Sequence, residues 1–256
     1  MGGRNAMPRF FIDAPLPPSA DKTLLTGEDA RHLMFSLRAK VGEAVELCDP
    51  DGTVYAAQIA AFSADSVKLA VSSRALGAHE PPVAVTLYQA LPKGDKFDDV
   101  VQKAVELGVK TVVPVQSARC VSRPDAKTLE KKRERWQKIA RAAAMQSERD
   151  ALPTVNPCVS FETALDEIAS ADLGFVCYER APHEPLSSIL ESRKASSPVR
   201  SVAFFIGPEG GIADAEAEAA KSLGLPLASL GPRILRTETA PLAVLAAVMY
   251  AFGAFS

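Results

Sequence analysis

The sequence predicts an α/β chain in two parts, a small β-rich barrel followed by a mostly parallel sheet covered by helices. Three observations carry that prediction. Short strands separated by tight turns fill the chain up to Leu76. Paired prolines, Pro81-Pro82, close a linker over 77–82, because proline serves neither helix interiors nor sheet ladders. From Val83 onward, apolar strands alternate with amphipathic helices, the pattern of βαβ units. The expected division is therefore a first domain over 1–76, a linker over 77–82 and a second domain over 83–256.

In the first part, Arg9-Phe10-Phe11-Ile12 is a short strand. Gly27 to Ala39 places Leu33, Met34 and Leu37 at helical spacing and predicts one helix. Glu43 to Pro50 alternates, with Val45 and Leu47 on one face. Asp49-Pro50-Asp51-Gly52 is a turn in which glycine accommodates positive φ. Thr53 to Ala61 and Ser66 to Ser72 follow as strands.

In the second part, Val83 to Leu91 is an apolar strand. Lys96 to Leu107 is a helix with Val100, Val101, Ala104 and Leu107 on one face, closed by Gly108. Thr111 to Val115 is a strand and Ala126 to Glu148 a long helix. Leu173 to Tyr178 and Val202 to Ile206 are buried-type strands. Asp214 to Leu223 is a helix stopped by Gly224, and Thr237 to Phe252 is the last helix. Topology rules alone predict an open, unknotted sheet.

Composition excludes several classes. Hydrophobic residues make up 47% of the 256, enough for a real core. A net charge of −2 carries no whole-chain signature of nucleic acid, but a local basic face remains open to it. Cys48, Cys120, Cys158 and Cys177 are widely spaced without a C-x-x-C pair, so reduced thiols are expected rather than zinc or disulfides. His32, His79 and His183 are too scattered for a metal site. Residues Met1 to Ala6 have no apolar run of a secretory signal. The apolar run from Ala240 to Phe255 contains Pro241 and is shorter than the roughly 20 residues of a membrane span. A cytoplasmic protein without a membrane partner is expected.

The sharpest chemical feature is Phe204-Phe205-Ile206-Gly207-Pro208-Glu209-Gly210-Gly211-Ile212, a buried strand entering a glycine-rich turn before a helix. Ligands of open α/β sheets bind at the carboxyl ends of strands, and glycine lets backbone approach them closely. The G-K-[ST] ending of a phosphate loop and the G-x-G-x-x-G of a dinucleotide site are both missing. An ordinary tight turn is the competing reading. The second feature is Leu230 to Pro241. Thr237 is expected to cap the last helix, with Glu238 and Thr239 in its first turn and Arg236 just before it. Plain capping beside a solvated arginine is the simpler alternative. The third is a basic stretch from Arg119 to Arg141, opposed by Asp125, Glu130 and Glu134. It suits phosphates, but a solvated helix face with pairs such as Glu134–Lys138 is the better explanation, with Trp136 in the core.

Taken in order, several segments resemble one family. They are Met7 to Phe11, His32 with Leu37-Arg38 and Gly42, Leu91-Pro92-Lys93-Gly94, Lys103 to Gly108, Pro114 with Arg119, and Gln146-Ser147 with Arg149. Gly207 to Gly211 and Leu230 to Ala240 complete the set. The chain resembles the RsmE family, the 16S ribosomal RNA uracil-N3 methyltransferases, over nearly its whole length from Met7. Met145 departs from the family's usual acidic residue.

That resemblance implies a SPOUT-type methyltransferase domain with a C-terminal trefoil knot, preceded by a PUA-like RNA-binding barrel. It implies a homodimer that uses S-adenosylmethionine and acts on 16S ribosomal RNA of the small ribosomal subunit. The cofactor pocket carries over onto Tyr178, Ile206, Gly207, Pro208, Glu209, Gly210 and Gly211. It continues onto Leu230, Gly231, Ile234, Leu235, Arg236 and Thr239. Glu238 would accept the N3 proton or orient the base, and Arg236 would stabilise charge on a uracil carbonyl. Arg9, His32, Arg38, Lys93, Arg119, Gln146 and Arg149 would contact RNA. Two other readings stay open, a related RNA 2′-O-methyltransferase and a non-catalytic RNA-binding protein with merely structural glycine turns.

Overall fold

The computed structural model describes residues 7–180, 183–196 and 198–255. The chain forms two compact units, one containing the residues up to Glu80 with Ala144–Leu152, the other Pro81–Ala143 with Pro153 onward.

The first unit is a five-stranded sheet in the order β1-β3-β4-β5-β2. Its strands are β1 (Arg9–Phe11), β2 (Lys22–Thr26), β3 (Ala44–Cys48), β4 (Thr53–Phe62) and β5 (Ser66–Leu76). β1 runs parallel to β3, and the other neighbours are antiparallel. Alternation places Phe10, Val45, Leu47, Ile59 and Leu69 in one core with Leu33. The Asp49 turn forms because its Oδ1 accepts from the amides of Asp51 and Thr53, both at 2.9 Å, while Gly52 takes φ 79°. Tyr55 Oη donates to the other oxygen of Asp49 at 2.7 Å.

The helix expected over 27–39 is shorter and of two kinds. α1 (Gly27–Arg31) passes into a π-helical turn, His32–Ser36, closed by the Leu37 amide on the His32 carbonyl at 3.0 Å. The wider turn buries Leu33 and leaves Phe35 and Leu37 outside, and Arg38 follows at φ 52°.

Residues 144–152 belong to this unit through buried charge. Asp150, 1% exposed, receives Arg9 Nη1 at 2.6 Å and the amide of His79 at 2.6 Å. The same guanidinium reaches Glu46 at 2.7 Å and donates to the Glu148 carbonyl. Arg149 pairs with Glu80 at 2.6 Å. Arg9 and Arg149 were expected to meet RNA, but both are 4% exposed and spend their charge on these carboxylates. A phosphate has no access to them without opening the unit.

The second unit is a parallel sheet in the order β11-β13-β10-β12-β6-β7-β8, with β9 also on β7. Its elements run β6 (Ala84–Ala90), α2 (Lys96–Glu106), β7 (Thr111–Gln116) and α3 (Ala126–Gln146). There follow β8 (Thr154–Val155), β9 (Val159–Ser160), α4 (Phe161–Ala169), β10 (Leu173–Cys177), β11 (Glu184–Pro185) and α5 (Leu186–Ser196). The last are β12 (Ser201–Ile206), α6 (Asp214–Ser222), β13 (Leu227–Ser229) and α7 (Ala240–Ala251). Strands buried on both faces explain the continuous apolar runs; Phe204 and Phe175 stack at 5.5 Å across β12 and β10. Gly108 and Gly224 end α2 and α6 at φ 95° and 75°. α4 adds a helix to those expected: Ser160 Oγ caps it by accepting from the Thr163 amide, and Phe161, Ala164, Leu165 and Ile168 form its buried face. Among the described residues, no helix is long and apolar enough to cross a membrane, and no group of residues is placed to hold a metal.

Candidate active site

Three neighbouring parallel strands, β13, β10 and β12, end on the same edge of the second unit's sheet. Their following loops meet around a pocket of about 730 Å³, a size that suits a small-molecule ligand. The loop from Ile206 to Gly211 forms one wall and the loop from Leu230 to Arg236 the other, with Tyr178 after β10 between them. Of the expected pocket residues, all but Thr239 line it; Thr239 is exposed at the start of α7.

Glycine is required by the first wall. Gly211 has φ 69°, and a Cβ there would lie 2.1 Å from Glu179 Oε1. Its amide closes a tight turn onto the Pro208 carbonyl at 2.9 Å. Arg119 Nη1 donates to the Gly210 carbonyl at 3.0 Å, so this expected RNA ligand spends one of its donors clamping the loop. Glu216, 8% exposed, holds the far end: its carboxylate accepts from the Ala213 amide at 2.9 Å and the Ala118 amide at 2.8 Å. In the second wall, Gly231 has φ 94° and open space where a Cβ would stand.

Thr237 does not cap the last helix. α7 begins at Ala240, and its entry turn is made by the Thr239 and Ala240 amides on the Arg236 carbonyl, both at 2.9 Å. Thr237 instead points inward, 6% exposed, donating to the Gly207 carbonyl at 2.8 Å and accepting from Gln89 Nε2 at 3.0 Å. The inward turn wins because it satisfies the carbonyl at the end of β12, while α7 starts with Pro241 in its first turn and has one donor fewer to cap. Gln89 was missed; its only signal is an amide side chain inside a mostly apolar strand.

Charged groups gather beside the pocket. Lys96 Nζ lies 2.9 Å from Glu209 Oε1 and 3.5 Å from Glu238 Oε2. The Lys93 amide also donates to Glu209, at 3.2 Å. Burial pushes the Glu209 carboxyl up, but these donors outweigh it and hold the group below the usual carboxylate range. The Lys96 ammonium is correspondingly raised by its bond to Glu209. The Oε2 atom of Glu238 is buried, with the Lys96 ammonium as its neighbour at 3.5 Å. Arg236 is exposed on the pocket wall. Burial holds the thiols of Cys48 and Cys158 up at about 12 and about 11, so neither is a ready nucleophile.

The remaining expected RNA residues divide between the units. His32, Arg38 and Gln146 are exposed on the first, and Lys93 is exposed on the second beside Glu209. On α3, Arg133 pairs with Glu130 and Arg135 with Asp98, while Trp136 is buried against Phe97 with ring centroids 4.1 Å apart.

Residues 79–249 match the RNA methyltransferase domain family, and residues 25–72 match the RNA methyltransferase PUA domain family. The chain is 36% identical to a ribosomal RNA small subunit methyltransferase E of Bacillus subtilis (strain 168), over 95% of this chain and 96% of the relative. It is 30% identical to the protein of that name from Mycobacterium tuberculosis, over 93% and 90%. A crystal structure of a ribosomal RNA small subunit methyltransferase E from Neisseria gonorrhoeae, bound to S-adenosyl methionine, has a TM-score of 0.86 at 32% identity, covering 98% of this chain and 100% of that one.

Proposed function

Because the chain belongs to the RNA methyltransferase family whose members include ribosomal RNA small subunit methyltransferase E, we propose that it methylates N3 of a uridine in 16S ribosomal RNA. It is an S-adenosylmethionine-dependent methyltransferase of ribosomal RNA, built from a PUA domain and a SPOUT methyltransferase domain. A trefoil knot in the C-terminal part of the second unit, a homodimer, a cytoplasmic site of action and the small ribosomal subunit as partner belong to the same proposal.

The observation that carries it is the pocket between the two glycine-bearing loops. An adenosyl group needs an apolar slot edged by backbone polar groups. Ile206, Pro208, Leu230 and Leu235 supply apolar surface, and a Cβ-free Gly231 leaves space beside them. The residues therefore fit the cofactor, which supplies a methyl group already activated on a sulfonium.

The protein's own task is positioning and proton management. Uracil N3 carries a proton and is a poor nucleophile until it leaves. Glu238, whose carboxylate lies beside the pocket 3.5 Å from Lys96 Nζ, takes that proton or orients the base. Lys96 holds that carboxylate beside the pocket. Arg236 stabilises negative charge on a uracil carbonyl as the proton departs. N3 lies on the pairing edge, so the base must be unpaired or extruded to enter. His32, Arg38, Lys93, Arg119 and Gln146 are the proposed RNA contacts that hold it there.

Glu238→Gln tests the assignment. Turnover at saturating cofactor should fall by about 100-fold or more, the contribution of a positioned base; near-normal turnover removes Glu238 from the chemistry. Nucleoside analysis of the product should show N3-methyluridine. A 2′-O-methylated product would replace the reaction, and calorimetry without any S-adenosylmethionine binding would replace the enzyme with an RNA-binding protein.

A further inference from the structure

Gln89 stands at the carboxyl end of β6, paired in register with Ile206 of β12, one residue before Gly207. It has no exposed surface. Its Nε2 donates to the Ala90 carbonyl at 3.1 Å and to Thr237 Oγ1 at 3.0 Å, and Thr237 donates onward to the Gly207 carbonyl at 2.8 Å. The direction of this relay is dictated by chemistry. A carbonyl only accepts, so the single hydroxyl proton of Thr237 goes to Gly207, and Thr237 must accept from Gln89. The Ala90 carbonyl likewise demands the amide nitrogen rather than the oxygen.

The arrangement leaves Gln89 Oε1 buried without a partner. An orphaned acceptor in a dry interior is costly, and an apolar side chain of similar size would fill this strand position without that cost. The strand itself therefore does not call for glutamine. What the amide holds does: Gly207 opens one wall of the pocket, Thr237 closes the other, and the two are 30 positions apart in the chain.

We propose that Gln89 is a positioning residue for the cofactor, acting through Thr237 to lock the two pocket walls together before S-adenosylmethionine binds. The inference rests on the reading of this pocket as the cofactor site. Preorganisation of this kind acts on affinity, since an unlatched pocket spends binding free energy on ordering its own walls.

The test uses the full chain, with S-adenosylmethionine affinity from calorimetry, methyl-transfer kinetics and thermal unfolding on each variant. Thr237→Val and Gln89→Leu should each weaken cofactor binding about tenfold or more, as expected for loss of a buried hydrogen bond that leaves a partner unsatisfied. The double variant should bind no worse than the weaker single one, because both break one relay. Thr237→Ser keeps the hydroxyl and should bind as the wild type does. The effect should fall on cofactor Kd and KM more than on kcat. Gln89→Glu adds a readout that a purely structural role would not move. When protonated, its carboxyl donates to Thr237 again, so its affinity should recover as pH falls, while that of Gln89→Leu should not. Wild-type affinity in Gln89→Leu and Thr237→Val, or effects that simply multiply in the double variant, would overturn the latch. A wild-type chain that binds no S-adenosylmethionine would instead overturn the pocket reading beneath it.

Discussion

Replacing Arg9 by methionine keeps the aliphatic stem and removes a buried cation from between two carboxylates. Asp150 is 1% exposed and loses its guanidinium partner at 2.6 Å; Glu46, 21% exposed, loses one at 2.7 Å. Breaking a buried ion pair from one side costs about 3–5 kcal/mol, because the remaining charge stays buried. Glu46 retains access to water, and Asp150 keeps the His79 amide at 2.6 Å, so the lower end of the range applies, about 3 kcal/mol. For a unit of this size that corresponds to a fall in melting temperature of about 12–24 °C. Hydrogen exchange read by mass spectrometry localises the effect. Amides of 144–152 should exchange about 100-fold faster, the factor that 3 kcal/mol implies. pH provides a second signature. Burial pushes the Asp150 carboxyl up, but the His79 amide, its ring and Arg9 together leave it below the ordinary value. A depressed carboxyl stabilises the fold above its unfolded pKa, near 4, and that contribution disappears as pH falls through the still lower folded value. The wild type should therefore loosen 144–152 below about pH 4, and Arg9→Met should flatten this acid limb. Unchanged melting and exchange, combined with weaker RNA binding, would refute the reasoning and return Arg9 to the phosphates.

Three further outcomes follow from the second unit. Gly211→Ala meets both φ 69° and Glu179 Oε1 at 2.1 Å; the exposed Glu179 can swing aside, so the backbone term of about 1–2 kcal/mol remains, and S-adenosylmethionine affinity by calorimetry should fall with stability. Equal affinity would show that the loop tolerates another conformation. Lys96→Met removes the cation that helps hold the Glu209 carboxyl low, so any acidic limb set by Glu209 in the pH profile of S-adenosylmethionine binding should move to higher pH; an unmoved limb excludes Glu209 from it. Trp136→Ala deletes a ring that is 3% exposed and donates to Asp98 at 3.0 Å, and should lower stability by about 3–5 kcal/mol with no change in the salt dependence of RNA binding. Lost RNA affinity at full stability would mark a stacking platform instead.

Local physics made much of this protein legible in its sequence. Alternation and tight turns located β3, β4 and β5, and apolar runs located β6, β7, β10 and β12. Gly52, Gly108 and Gly224 adopt the left-handed conformation where turn and helix-end chemistry required it. The glycine-rich bend after β12, which lines the pocket, was legible as a candidate wall because strand, turn and helix follow one another without interruption. Two- and three-residue strands such as β8, β11 and β13 were not, since so few residues carry no period. The fates of single polar side chains were decided elsewhere. Arg9 looks like any surface arginine until Asp150, 141 positions later, arrives beside it. Thr237 looks like a helix cap until Gln89, 148 positions earlier, offers it a proton. Periodicity and propensity act over a few residues, whereas burial and charge pairing depend on which distant segments the chain path brings together, and only the tertiary structure holds that information.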